Sequence, residues 1–149
     1  MNKLYSLQFK TTSDYSLNLQ TLISLVEKAD TKSIIVAPEV CLTGFDYDNF
    51  NTVIAFSKIS TKELEKVSQD KVIVTTMIEE FKGEIYNFAK VFYNGEVVYK
   101  RAKARLFRFG NEHKYMSEGD DQDIKIIEID GVKIAILICF ELRFKSYGK

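Results

Sequence analysis

Cys139, Glu39 and Lys103 are the side chains whose types and settings could support covalent chemistry. Cys139 lies at the end of the stretch Val132 to Ile138, so its thiol should emerge at the C-terminal mouth of a buried strand, where open α/β folds tend to hold their sites. Thiols are strong nucleophiles, and a few per cent is thiolate at neutral pH even unassisted. Glu39 follows Ser33 to Pro38, a second apolar run. A carboxylate partly withdrawn from water has a raised pKa, which suits a general base. Lys103 lies in the basic stretch Tyr99 to Phe107 and offers a fixed positive charge. Each residue also has a bland reading: a core-filling cysteine, a solvated loop glutamate, and one cation of a solvated basic edge. The single histidine, His113, sits among Asn111, Glu112, Lys114 and Tyr115 in what reads as an exposed turn. One histidine and two distant cysteines, Cys41 and Cys139, give no zinc spacing. Phosphate-loop and dinucleotide glycine patterns are absent, so neither a metal nor an organic cofactor is expected.

The elements that must position these residues follow from periodicity. Leu4 to Phe9 alternates as a first strand. Ser13-Asp14 offers a helix N-cap ahead of Leu17, Leu19, Leu22, Ile23, Leu25 and Val26, a helix ending near Ala29. Ser33 to Ala37 reads as a strand covered on both faces, stopped by Pro38, which has no N–H to give. After a polar, aromatic loop from Thr43 through Asn51, a short helix is expected over Thr61 to Ser68, capped by Thr61. Val72 to Ile78 is another buried strand. Ile85 to Tyr93 and Glu96 to Tyr99 flank Asn94-Gly95, a strong hairpin turn. Residues 100–123 read as charged loop, and Ile124 to Ile129 with Val132 to Ile138 form a second hairpin about Asp130-Gly131. A mixed sheet with helices packed on it is the α/β fold class these elements imply.

At 149 residues the chain is most simply one domain. Its 21 basic and 21 acidic residues cancel, so no global field draws it to nucleic acid. No apolar run approaches the roughly 20 residues of a membrane span, and the N-terminus lacks a signal-peptide core. With two cysteines there is no disulfide framework, which makes a cytoplasmic location the expectation.

Three segments together resemble the nitrilase superfamily of carbon–nitrogen hydrolases. Ala37-Pro38-Glu39 followed by Leu42-Thr43-Gly44-Phe45 resembles its glutamate motif. Lys103-Ala104-Arg105-Leu106-Phe107 resembles its lysine motif, and Ile138 through Phe144 its cysteine motif. Tyr86-Asn87, Asn94-Gly95, Gly110 through Tyr115 and Gly119-Asp120 match connecting features in the same order. Two residues depart from the family pattern: Arg105 stands where histidine is usual, and Arg101 where many members carry tyrosine.

The resemblance implies a nitrilase-like αββα sandwich and an amidase-type hydrolase of amide, nitrile or N-carbamoyl substrates working through a thioester. It assigns Glu39 as base, Cys139 as nucleophile, and Lys103 with the Phe140 backbone N–H as oxyanion donors. Glu112 would support Lys103 or orient substrate, and Glu141 and Arg143 would be structural, as an ion pair fixing the turn after the nucleophile. Phe45, Tyr47 and Phe109 are expected at the pocket entrance. The partners implied are a small-molecule amide and a second copy of the chain in a homo-oligomer, with no nucleic acid and no membrane. Family members continue well past the cysteine, so the expectation is a domain over 1–149, incomplete at its C-terminus and truncated after the nucleophile strand. An inactive half-domain acting only in binding or assembly is the alternative. A weaker one is contact of single-stranded nucleic acid with the basic, aromatic residues 99–109.

Overall fold

The computed structural model describes Met1 and residues 3–144; the segment after Phe144, on which the expectation of truncation turns, lies outside the described residues. Five strands form one sheet in sequence order: β1 (Lys3–Ser6), β2 (Ser33–Val36), β3 (Val72–Phe81), β4 (Glu84–Tyr93) and β5 (Glu96–Ala102). β1, β2 and β3 run parallel, whereas β3, β4 and β5 pair antiparallel. Two helices, α1 (Tyr15–Lys28) and α2 (Phe50–Val67), supply the crossovers that parallel pairing requires. A separate antiparallel hairpin, β6 (Ile126–Ile129) and β7 (Val132–Ala135), completes the described strands.

Alternation along the strands sorts the core into layers. Ile35, Ile73 and Phe92 face Leu22 and Val26 of α1 and Leu64 of α2. Val72, Val74 and Val91 face the other way, against Ile129, Ile134 and Ile136 of the hairpin region. Helices, sheet and second sheet therefore stack in that order, the α/β arrangement expected. Burying each such aliphatic or aromatic side chain contributes about 1.5–3 kcal/mol over leaving it exposed.

Local chemistry fixes the connections near the site. The Asp14 carboxylate accepts from Leu17 N at 3.0 Å and caps α1 as expected. Buried Asn18 donates from Nδ2 to Thr12 O and Leu42 O at 2.8 and 2.9 Å, tying α1 to the loop that carries Glu39. The hairpin turns Asn94-Gly95 and Asp130-Gly131 have the positive φ that the sequence demanded, and Lys82-Gly83 makes a third such turn between β3 and β4.

Several boundaries differ from expectation. β1 ends at Ser6 rather than Phe9, although Leu7 N still donates to Val36 O at 2.9 Å. α2 begins at Phe50, eleven residues before Thr61, because Ser57 and Thr61 find hydrogen-bond partners without breaking the helix. Ser57 Oγ donates to Ile78 O and Thr61 Oγ1 to Ser57 O, both at 2.8 Å. β2 is fully covered on one face and only partly on the other: Ile34 is half-buried, Val36 is exposed, and a groove of about 420 Å³ runs between Leu4, Ile34, Val36 and the segment Ile134 to Leu137. β7 stops at Ala135 with an alternating exposure pattern, so Cys139 follows an extended segment rather than closing a buried strand.

Candidate active site

Glu39 is aimed by a turn that the sequence makes unavoidable. Ala37 N gives the last ladder bond, to Val74 O at 2.9 Å, and Pro38 cannot continue it. Val40 then takes a left-handed φ of 48°, held by its N–H donating to Thr76 Oγ1 at 2.7 Å. The Glu39 carboxylate reaches across β3 to β4, where Asn87 Nδ2 donates to its Oε1 at 2.9 Å. That bond fixes the Asn87 amide, since the reversed orientation would oppose two acceptors.

Lys103 stands one residue beyond β5. Its N–H donates to Asn87 O at 2.7 Å and its carbonyl accepts from Gly119 N at 2.8 Å. Any Cβ at position 119 would lie 2.6 Å from Ala102 O, so the approach that clamps Lys103 requires glycine. The side chain is fully buried and Nζ lies 2.7 Å from Glu39 Oε1. It also donates to both oxygens of Glu112, each at 3.1 Å. Burial by itself lowers the ammonium pKa, but Glu39 and Glu112 outweigh it and hold Lys103 above the ordinary lysine value. Glu112 is delivered by Asn111, whose φ of 61° starts a short 3-10 turn, and its Oε2 also accepts from Phe107 N at 2.9 Å.

Cys139 opens the 3-10 turn Cys139–Arg143 with φ 44°, left-handed for a residue that bears a Cβ. Such conformations cost about 1–3 kcal/mol and gather where chemistry requires them. The thiol is exposed. Partial desolvation and then the Glu39 charge push its pKa above the ordinary thiol value, while Lys103 opposes. Glu39 Oε1 already accepts from Lys103 and Asn87, which leaves its second oxygen without a hydrogen bond from either. Carboxylate, ammonium and sulfur thus meet in one place. A groove of about 620 Å³ bounded by Phe81, Tyr86, Arg105 and Asp121 contains none of the three. Convergent charges rather than room mark the site.

Other expected residues fall as follows. Glu141 is fully buried, but its partner is Arg101, not Arg143: in a 3-10 turn residues two apart do not share a face. Arg143 is exposed. The Phe140 ring packs 5.4 Å from Phe107 and 5.3 Å from Phe144. Tyr47 stacks on Tyr115 at 4.1 Å, and burial followed by the charges of Glu112 and Glu39 pushes its phenol up to about 12. Phe45 is exposed, and Phe109 is 91% exposed. Cys41 is buried against Thr75, and burial pushes its thiol up to about 11. In the stretch 99–109 Arg101 and Lys103 are buried and paired, Lys100 is paired with Glu79 and Arg105 with Asp121, while Arg108 is exposed. Sequence reasoning gave Asn87 no role, although an asparagine between Tyr86 and Phe88 inside a strand was a signal. It gave Arg101 none either.

A family model described as carbon-nitrogen hydrolase matches residues 4–147. The 2-oxoglutaramate amidase of Bacillus subtilis (strain 168) is 26% identical over 138 residues, which cover 89% of this chain and 52% of that protein. A CN-hydrolase superfamily protein from Xanthomonas campestris, solved with an arsenic adduct in its active site, overlays with a TM-score of 0.81 at 20% identity. The match covers 97% of this chain and 55% of that one. The amidase from Nesterenkonia sp. AN1, a mutant bearing the acetamide moiety of fluoroacetamide on its active-site cysteine, overlays with a TM-score of 0.80 at 17% identity. Coverage is 97% of this chain and 57% of that one. The chain spans about half the length of the curated amidases it matches.

Proposed function

The chain belongs to the carbon-nitrogen hydrolase family, and on that premise we propose that it hydrolyses a small amide through Cys139, Glu39 and Lys103. The observation that carries the proposal is the buried Lys103 ammonium held between Glu39 and Glu112 beside the thiol. A thiol held above its ordinary pKa keeps its proton until the neighbouring Glu39 takes it as base at the moment of attack.

In the proposed reaction Glu39 takes the thiol proton as Cys139 sulfur bonds to the amide carbon. The carbonyl π electrons move to oxygen, and Lys103 Nζ with Phe140 N–H stabilise that charge. Removing one such donor typically costs about 2.7–4 kcal/mol of transition-state stabilisation. The intermediate collapses, the C–N bond breaks, and Glu39 returns its proton to the departing nitrogen, which leaves as ammonia or an amine. Water then adds to the thioester with Glu39 as base again, and carboxylic acid and thiol are released. Glu112 keeps Lys103 charged and aimed throughout. The substrate class to try first is the ω-amide of a short dicarboxylate, which the similarity to the 2-oxoglutaramate amidase supports. Assembly into a homo-oligomer belongs to the same proposal.

The test is ammonia release from 2-oxoglutaramate, other aliphatic amides and N-carbamoyl amino acids, repeated with Cys139→Ala. Loss of release in the variant, with an acyl adduct on Cys139 in the parent's intact mass, is the expected result. Release that survives the substitution excludes the covalent route. No release from any substrate leaves the binding-only reading, which the exposed apolar strip of Leu4 and Val36 favours.

A further inference from the structure

Four donors converge on one buried carboxylate behind the site. Glu141 Oε1 accepts from Arg101 Nη1 at 2.8 Å and from Ala104 N at 2.7 Å. Its Oε2 accepts from Arg101 Nη2 at 2.6 Å and from Ile138 N at 2.7 Å. Ala104 is the residue after Lys103, and Ile138 the residue before Cys139. A single side chain therefore joins the backbone that presents the ammonium to the backbone that presents the thiol. Glu141 N also donates to Ile138 O at 3.0 Å, so the first turn after the nucleophile is closed from both directions.

A carboxylate on a flexible stem does not hold two segments in register by itself. Arg101 removes that freedom. It lies at the end of β5, is 2% exposed, and grips both oxygens in the fork geometry that only guanidinium offers. Its Nη2 donates further to Ile136 O at 2.5 Å and its Nη1 to Ala102 O at 3.2 Å, which adds a bond to each of the two segments. Arg101 Nε has no hydrogen-bond partner. A buried cation with one unsatisfied N–H is an expensive way to fill space, and an apolar side chain would serve packing alone better.

We infer that Arg101 is a positioning residue: acting through Glu141, it sets the separation and facing of Lys103 and the Cys139 turn. This rests on the reading of Cys139 as nucleophile given above. Arg101 touches neither substrate nor thiol. Its effect is to hold Cys139 in the left-handed conformation from which sulfur meets Glu39. Misplacement of reacting groups by about 1 Å can cost on the order of a hundredfold in rate.

The experiment compares the parent chain with Arg101→Met and Arg101→Lys. Alkylation of Cys139 by iodoacetamide is followed against pH by peptide mass, with circular dichroism as the check on folding. Buried Cys41 is an internal reporter, because it reacts only if the core opens. In folded Arg101→Met, the pH midpoint of Cys139 alkylation should fall toward that of an ordinary exposed thiol. Amide turnover should drop by about a hundredfold in kcat with KM within about twofold. Arg101→Lys, which keeps the charge and loses the fork, should recover part of both. An unchanged alkylation profile and kcat in folded variants overturn the inference. Losses that merely track Cys41 exposure in both variants also overturn it, since Arg101 would then serve folding alone. A parent chain in which Cys139 reacts no faster than Cys41 instead overturns the catalytic reading itself.

Discussion

Lys103 Nζ and Glu39 Oε1 stand 2.7 Å apart although 64 positions separate them along the chain. The contact is unequal: the lysine is sealed from water, whereas the glutamate side chain keeps 19% of its surface exposed. Glu112 supplies a second carboxylate from the buried side. The ammonium is therefore anchored from behind while Glu39 faces both the cation and the thiol. Four consequences can be measured.

Lys103→Met should damage both folding and turnover. Breaking a buried pair by removing one member typically costs about 3–5 kcal/mol, and here Glu39 and Glu112 would be left facing each other. The denaturant midpoint should fall accordingly, and kcat by about 10²–10³. The parent should also lose stability as pH rises above the unfolded lysine value of 10.5 toward the higher folded value, because the folded state holds its proton longer. The variant should show a shallower decline in that window. A variant as stable as the parent at pH 7 would contradict the pairing.

Glu39→Gln should separate thiol reactivity from turnover. Burial raises the Cys139 pKa and the Glu39 charge raises it further. Removing that charge lets the thiol ionise at lower pH, so iodoacetamide should alkylate Cys139 severalfold faster at neutral pH. Ammonia release should meanwhile collapse for want of a base. Slower alkylation in the variant would contradict the electrostatic assignment.

Tyr47 should ionise late. Its phenol is pushed up to about 12 from 10.0, first by burial and then by Glu112 and Glu39. Between pH 10 and 12 the unfolded chain gives up a proton that the folded chain retains, so stability falls through this window. Tyr47→Phe should remove one tyrosinate step near pH 12 from the absorbance titration at about 295 nm and flatten the stability decline there. A lost step near pH 10 would show that the ring does not feel the carboxylates.

Gly119→Ala should loosen the Lys103 clamp from behind. The new methyl would come within 2.6 Å of Ala102 O and 2.7 Å of Ala102 Cβ, so backbone must move. Overpacking of this kind costs about 1–3 kcal/mol. Because Gly119 N bonds to Lys103 O, kcat should fall more than the stability loss explains. A thermal midpoint within error of the parent's would exclude the close approach.

The parts legible in the sequence were those written locally. Pro38 ends β2 and leaves Glu39 at its mouth, and the Asn-Gly and Asp-Gly turns fold where such pairs must. The Asp14 cap needed only its neighbours. Two kinds of feature were not legible. The first three turns of α2 escaped detection because Ser57, Ser60 and Thr61 dilute its apolar period, and only the tertiary partners of Ser57 and Thr61 show that a helix tolerates them. The Arg101–Glu141 pair spans 40 positions. Nothing near Arg101 distinguishes it from the solvated cations beside it, and nothing near Glu141 disfavours Arg143 as partner. Burial decides both, and burial belongs to the assembled fold. The same holds for β7, whose apolar composition promised a covered strand but whose alternate residues face out.

The dihedral at Cys139 sets thermodynamics against use. At φ 44° any side chain with a Cβ is disfavoured, and glycine or asparagine would relax the backbone. Cys139→Gly should for that reason outlast both Cys139→Ala and the parent on heating if the thiol contributes little packing. A descendant lineage with no further need of the sulfur would be expected to drift toward glycine there first, which makes this position a gauge of whether a homologous chain is still under selection for turnover.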